Sequence, residues 1–371
     1  MSARTHVVGD SSVRFLRNGC AAFPAMLDAI ENAKREVLLE MYWIEADIVG
    51  IAFRDALARA AEGGVRVRVL YDSFGSFNVN PTWWTPVSRA GGKAFEFHPI
   101  SPIDERFSFA RVEIRDHRKM LIVDASRAYV GGLNLASVWL PREAGGEAWR
   151  DDMLEVRGPV GLDLRALFYR QWCNVTKEPA PRDLTHTQLK AHAGVWVLAS
   201  PWRSNRSVRA EFLRRVDEAK HHVDVANSYF LPDARMRRAL YDARMRGAKV
   251  RVLVPAISDV LIVQRATEAL VSRLLRHGIE VYRLRDSVLH CKTAIVDEFV
   301  TIGSYNMDAR SLHMNLEANL AVESATLAAE VRSSFEHDIQ QSHRVNLNEW
   351  RTRPLVRRGV EWACYALRRF L

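Results

Sequence analysis

Short apolar runs alternate with amphipathic stretches along the 371-residue chain, and the alternation occurs twice. Ala33-Lys34-Arg35-Glu36-Val37 leads into an apolar strand that ends in an aromatic pair, and Ala219-Lys220-His221-His222-Val223 does the same. A helical period then gives way to a period of two at 56–72 and again at 239–255, with Gly64 and Gly247 placed to end the helices. The strongest match is HRKMLIVD (117–124) with HCKTAIVD (290–297), followed by GGLN (131–134) and GSYN (303–306). The separation shrinks along the chain while block order is kept, as expected of a duplicated domain carrying insertions. Each half reads strand, helix, strand, helix, strand, a hairpin, one more strand and a closing helix. This predicts an α/β sandwich with mixed β-sheets, the two halves packed face to face. The predicted division is 1–178, a seam at 179–192 overlapping the Pro-containing stretch 177–190, a second domain at 193–345, and a basic amphipathic tail at 346–371.

Composition narrows the picture. A chain that is 48% hydrophobic and 26% charged is neither disordered nor membrane-embedded, and its length suffices for two full cores. The net charge of +9 is carried mostly by arginine, whose planar fork suits phosphate oxygens, so the expected partner is an anion: nucleic acid, an acidic lipid surface or a phosphate ester. Cys20, Cys173, Cys291 and Cys364 are widely spaced and form no zinc-type pairs, so they read as reduced thiols. No window is apolar enough to span a bilayer and the N-terminus lacks a signal-peptide core, which predicts a cytosolic chain.

Side chains alternate faces along a strand, so His117 and Lys119 share one face, as do His290 and Lys292, while Arg118 and Cys291 point the other way. Asp124 and Asp297 then point away from their histidines and read as structural, bonding backbone or basic groups at the strand ends. After each hairpin, Gly131-Gly132 and Gly303-Ser304 are expected to let backbone approach a ligand, and Asn134 or Asn306 brings in an amide donor. Imidazole, ammonium and amide together suit a phosphodiester: one group attacks phosphorus or moves a proton, and the others hold the non-bridging oxygens. Nothing in the pattern resembles a magnesium or zinc cage, so no metal and no cofactor is expected.

HRKMLIVD-x6-GGLN and HCKTAIVD-x5-GSYN resemble the paired HKD motifs of the phospholipase D superfamily over nearly the whole chain. Flanking segments such as LLEMYWIEADIVG (38–50), WRDDMLEVRGPV (149–160) and GSYNMDARSLHMNLEANL (303–320) are similar to bacterial cardiolipin synthases of the shorter B-type. The resemblance implies two phospholipase D-like domains related by a pseudo-twofold axis, with one active site between them. There His117 would attack the donor phosphorus, His290 would protonate the leaving alcohol and then activate the incoming hydroxyl, and a covalent phosphatidyl-histidine would form. Lys119, Lys292, Asn134, Asn306 and Ser304 would hold the phosphate. Asp151, with Asp152 as its alternative, and Glu317 would orient the histidines.

The implied substrate is phosphatidylglycerol, with phosphatidylethanolamine or free glycerol as further co-substrates, at the cytoplasmic side of the cell membrane. The segment 354–371 places Leu355, Val356, Gly359, Val360, Ala363, Leu367 and Phe370 on one helical stripe flanked by arginines. That stripe either lies on an anionic leaflet or packs on the protein's own core. Trp83-Trp84 is a second candidate membrane contact. A nuclease of the same superfamily is the competing reading, but no stretch interleaves aromatic and basic residues as a base-stacking platform would, and no nucleic-acid partner is expected. An inactive membrane scaffold is a third, which two intact motifs argue against.

Overall fold

The structure is a computed structural model that describes residues 4–184, 191–200, 206–369 and 371. The first half runs β1 (Thr5–Val8), β2 (Ser11–Arg17), α1 (Asn18–Glu31), β3 (Glu36–Met41), α2 (Ile48–Glu62) and β4 (Arg66–Asp72). It continues through α3 (Thr85–Arg89), β5 (Lys93–Phe97), β6 (Lys119–Val123), β7 (Arg127–Gly131), β8 (Asp152–Arg157) and α4 (Val160–Thr176). The second half runs β9 (Ala191–His192), β10 (Val195–Ala199), α5 (Arg206–Glu218), β11 (His222–Asn227), α6 (Ala234–Met245), β12 (Lys249–Pro255), α7 (Leu261–Arg276) and β13 (Glu280–Leu284). It ends with β14 (Lys292–Val296), β15 (Phe299–Gly303), α8 (Ala309–His313), β16 (Ala318–Glu323), α9 (Ala325–Gln340), β17 (Ser342–Arg344), α10 (Leu347–Arg351) and α11 (Leu355–Ala366).

Each half folds around a mixed sheet, ordered β1-β2-β8-β7-β6-β3-β4-β5 and β17-β13-β12-β11-β14-β15-β16-β10-β9. β3, β4 and β5 are parallel, as are β11, β12 and β13, and the hairpin strands β6 and β14 join them antiparallel. β3 is buried on both faces, which is why Val37–Leu39 is apolar without alternation, and its buried glutamates are paired, Glu36 with Arg165 and Glu40 with Arg118. Gly64 (φ 84°) and Gly247 (φ 102°) turn the chain just past α2 and α6 in the left-handed region that a side chain disfavours.

One apolar core lies between the two sheets, formed by strand residues such as Leu38, Met120, Ile295 and Leu320, with Leu164 and Phe168 of α4 and Leu327 and Phe335 of α9. The outer faces carry separate cores, under α1 and α2 in the first half and under α5, α6 and α7 in the second. The halves are thus joined through shared burial, the arrangement a site between them requires. The strand pairs β1–β2 and β9–β10 and the helices α1 and α5 precede the repeat read from sequence. Pro24 inside α1 interrupts its periodicity.

One expectation needs correction. Trp84 is buried in the first-half core and Trp83 packs edge-on against it beneath the Arg54 guanidinium, so this pair serves packing, not a membrane. The C-terminal helix packs against α7, but with Glu361 and Tyr365 inward and its apolar stripe outward. Glu361 is held by Arg353, and Arg357 reaches Glu268 of α7. Phe370 and the seam residues 185–190 lie outside the described residues.

A buried ion-pair network ties the halves beside the site. Arg150 binds both carboxylate oxygens of Asp338 (3.1 and 2.8 Å), and Arg17 reaches the same carboxylate from the end of β2. Removing Asp338 leaves Arg150 short of countercharge in the interior, so Asp338→Ala should cost about 3–5 kcal/mol in urea unfolding. An unchanged midpoint would show that the network contributes nothing.

Candidate active site

The two HxK strands begin at the sheet edges where β3 and β11 end: Lys119 pairs with Met41, and Lys292 with Asn227. Just before each strand, the backbone crosses to the other half. His117 N–H donates to Leu316 O (3.0 Å) and His290 N–H donates to Arg150 O (2.8 Å), while Leu316 and Arg150 return bonds to Arg115 and Val288. These matched bridges express the twofold relation at the level of single hydrogen bonds.

They also decide which carboxylate meets which imidazole. His117 Nδ1 lies 3.1 Å from both oxygens of Glu317, and His290 Nδ1 lies 2.6 Å from Asp151 Oδ2. Each histidine is therefore held through Nδ1 by the acid of the opposite half, which leaves Nε2 of His117 without a partner among the described residues. Asp152 does not take this place: its oxygens accept from Arg150 and from Thr293 Oγ1 (2.6 Å).

Lys119 and Lys292 are fully buried, and each ammonium donates to the carbonyl of its own histidine, at 2.7 and 2.5 Å. Lys292 Nζ also lies 3.1 Å from both ring nitrogens of His290 and 3.1 Å from Ser228 Oγ. At the corresponding position in the first half, Tyr42 presents its ring, 4.7 Å from Lys119 Nζ and edge-on to His117. Trp139 and Trp149 pack against His290. Asn134 and Asn306 are buried and use their carbonyl oxygens for Trp43 N–H and Ser228 Oγ–H, leaving Nδ2 without a partner among the described residues. The structure thus brings together the histidines, lysines, asparagines, Asp151 and Glu317.

Asp124 and Asp297 lie apart from this group. Asp124 accepts the backbone N–H groups of Lys34, Arg35 and Glu36, and Asp297 those of Lys220, His221 and His222, so each pins the start of a central strand. Both adopt positive φ at the hairpin turns, which contain three residues in the first half and two in the second.

Ser304 meets the carboxylate of its own half. Its hydroxyl donates to Glu317 and accepts from Ala318 N–H, so it positions the carboxylate. The glycines likewise serve packing: a Cβ on Gly132 would stand 2.2 Å from Asp151 Oδ1, and one on Gly303 would stand 2.3 Å from Ala318 O. Sequence reading missed Ser311, whose hydroxyl donates to Glu317 Oε1 (2.6 Å), and also Ser228 and Tyr42. The signal available for the last two was their matched position one residue beyond β11 and β3.

The electrostatics are asymmetric. Burial holds His117 well below its ordinary pKa, and the charges of Lys119, Lys292 and His290 push the same way. Burial and Lys292 lower His290 too, but Asp151 opposes them through charge and hydrogen bond. Burial raises Glu317 to about 7 against the pull of Lys119. Burial lowers both lysines, Lys119 further through its repulsion by Lys292. Two buried ammonium groups close enough to repel one another, beside two imidazoles, make the site mouth a place where the charge developing on a phosphoryl group is stabilised. Cys291, on the opposite strand face, is buried in the core with its thiol raised by burial. Cys291→Ala should keep near-wild-type turnover, and loss of activity with folding intact would give the thiol a chemical role.

Fold and site together define the class: a duplicated phospholipase D-like chain with one compound site. Residues 26–139 and 212–339 match the family described as cardiolipin synthase, PLD-like domain, and the chain belongs to that family. It is 30% identical to a cardiolipin synthase of Halalkalibacterium halodurans over 96% of this chain and 72% of that one. It is 31% identical to a cardiolipin synthase of Alkalihalophilus pseudofirmus over 95% and 70%. Among solved structures, the phosphatidylserine synthase of Haemophilus influenzae superposes with a TM-score of 0.74 at 14% identity, covering 97% of this chain and 95% of the other, a likeness of fold.

Proposed function

We propose that the protein is a cardiolipin synthase that transfers a phosphatidyl group from one phosphatidylglycerol to another, releasing glycerol. The observation that carries this reading is the reciprocal holding of each histidine by the other half's carboxylate, above two buried lysines. His117 is the nucleophile. Three positive charges bear on its ring, and its carboxylate is shared with the hydroxyls of Ser304 and Ser311, so of the two imidazoles it is held further toward the neutral form. His290 is the general acid, because Asp151 supports its protonated form at 2.6 Å.

In the first step His117 Nε2 bonds to phosphorus, the bond from phosphorus to the headgroup oxygen breaks, and His290 gives its proton to the departing glycerol. In the second, His290 takes the proton of the incoming phosphatidylglycerol hydroxyl, the new phosphorus–oxygen bond forms, and the bond to His117 Nε2 breaks. Lys119, Lys292 and the amide groups of Asn134 and Asn306 face the non-bridging oxygens. Water in place of the second lipid gives hydrolysis as a side reaction, and free glycerol gives exchange. Among the described residues no helix is long and apolar enough to cross a membrane.

Purified protein mixed with phosphatidylglycerol vesicles in EDTA, without CTP, should form cardiolipin and glycerol, with any glycerol in excess of cardiolipin matched by phosphatidic acid, resolved by thin-layer chromatography and a glycerol assay. An absolute need for a divalent metal or for CTP would reject the mechanism.

A further inference from the structure

An amphipathic helix ordinarily buries its apolar stripe, and α11 does the reverse. Glu361 and Tyr365 face α7, while on the opposite side Leu355 and Val356 remain 78% and 82% exposed. Arg358 and Arg369 flank the stripe, and neither makes an ion pair among the described residues. The helix leads back toward the site, since Tyr365 packs with Leu231 and Val263, close to where β11 and β12 end.

The same edge carries other unpartnered apolar groups. The loop after β5 exposes Ile103 (94%) and Phe109 (85%), and the start of α7 exposes Leu261 (61%). Arg310 in α8 ties these parts together: its backbone N–H donates to Leu371 O (3.2 Å) and its guanidinium reaches Glu113 O (3.5 Å). Apolar tips of the first-half loop and of the α7 start therefore stand on the side where β5 and β12 end, and the C-terminal end of α11 reaches that side while its exposed face continues away along α7. Single exposed apolar residues are ordinary on a protein surface, but a set gathered around one edge marks an interaction surface.

We propose that this edge is a membrane-docking surface: the outward face of α11 and the first-half loop at 100–109 insert into an anionic leaflet, while arginines meet the headgroups. The inference rests on the lipid-substrate reading, because docking there brings the site mouth against the layer that holds phosphatidylglycerol. The occupant is a bilayer and not a protein because apolar tips rimmed by free guanidinium groups match an acidic headgroup layer over an acyl interior.

The test is co-sedimentation of the full chain with phosphatidylglycerol vesicles, alongside turnover of a short-chain phosphatidylglycerol kept below its micelle concentration. The variants are Leu355→Glu/Val356→Glu on α11 and Ile103→Glu/Phe109→Glu on the loop, all surface positions. Each pair should weaken vesicle binding at least about tenfold and slow turnover on vesicles, leaving turnover of the monomeric lipid unchanged. Wild-type vesicle binding in both pairs would overturn the proposal. So would a solution dimer that the same substitutions dissociate, since a second copy would then cover the face. Vesicle binding by wild-type protein without any lipid turnover would instead reject the enzymatic reading and leave the docking surface standing.

Discussion

His117→Ala should lower phosphatidyl transfer at least about 10⁴-fold, and His290→Ala by a similar factor with natural lipid, because each removes one of two groups that act as a unit. The two variants separate when the leaving group no longer needs a proton. A phosphatidyl donor carrying nitrophenol departs unaided, so His290→Ala should recover a burst of one nitrophenolate per site, whereas His117→Ala should release none. Folding should survive in His117→Ala, since Glu317 keeps the Ser304 and Ser311 hydroxyls as partners. A burst from His117→Ala and none from His290→Ala would exchange the two roles.

The second large effect concerns the carboxylates. Glu317→Gln and Asp151→Asn keep size and remove charge, and each should reduce kcat about 10²–10⁴-fold, the range expected when an imidazole loses its orienting anion. They should differ in pH dependence. Burial keeps the Glu317 carboxyl protonated up to about pH 7, and a protonated Glu317 is a poor acceptor for His117 Nδ1–H. Wild-type kcat should therefore fall as pH drops through about 7, and Glu317→Gln should lose that acid limb. Asp151 supports the protonated form of His290, so Asp151→Asn should move the alkaline limb to lower pH. Profiles of kcat between pH 5 and 9 test both, and a wild-type acid limb in Glu317→Gln would remove Glu317 from the account.

Much of this was legible in the sequence, for reasons that also mark where legibility stops. The duplication, the α/β class and the shared face of His117 and Lys119 follow from repetition and from the two-residue period of a strand. Which acid meets which histidine does not, because Asp151 and Glu317 each follow the hairpin of their own half and only the crossing bridges at Leu316 and Arg150 exchange them. Chain order likewise could not assign Ser304 to Glu317, or show that Gly132 makes room for Asp151. The helical wheel of 354–371 gives an apolar stripe but not the side that packs. That choice is fixed by Glu361, whose partner Arg353 lies eight residues earlier, and by Tyr365 against α7.

Duplication produced two similar half-sites, and the departures from symmetry give them different chemistry. Ser228 stands where the first half has Tyr42, so Lys292 has a hydroxyl partner and Lys119 an aromatic face. Ser304 stands where the first half has Gly132, so Glu317 shares its charge with a hydroxyl while Asp151 gives one oxygen wholly to His290. A site with two identical imidazoles would have no reason to attack with one and protonate with the other.

The central claim is a covalent bond between phosphorus and one particular nitrogen. Protein mixed with phosphatidylglycerol labelled in its phosphate, quenched within a turnover at alkaline pH and digested, should yield one labelled peptide containing His117, with none containing His290. Label confined to the His290 peptide, or complete turnover with no labelled peptide at any time, would contradict it.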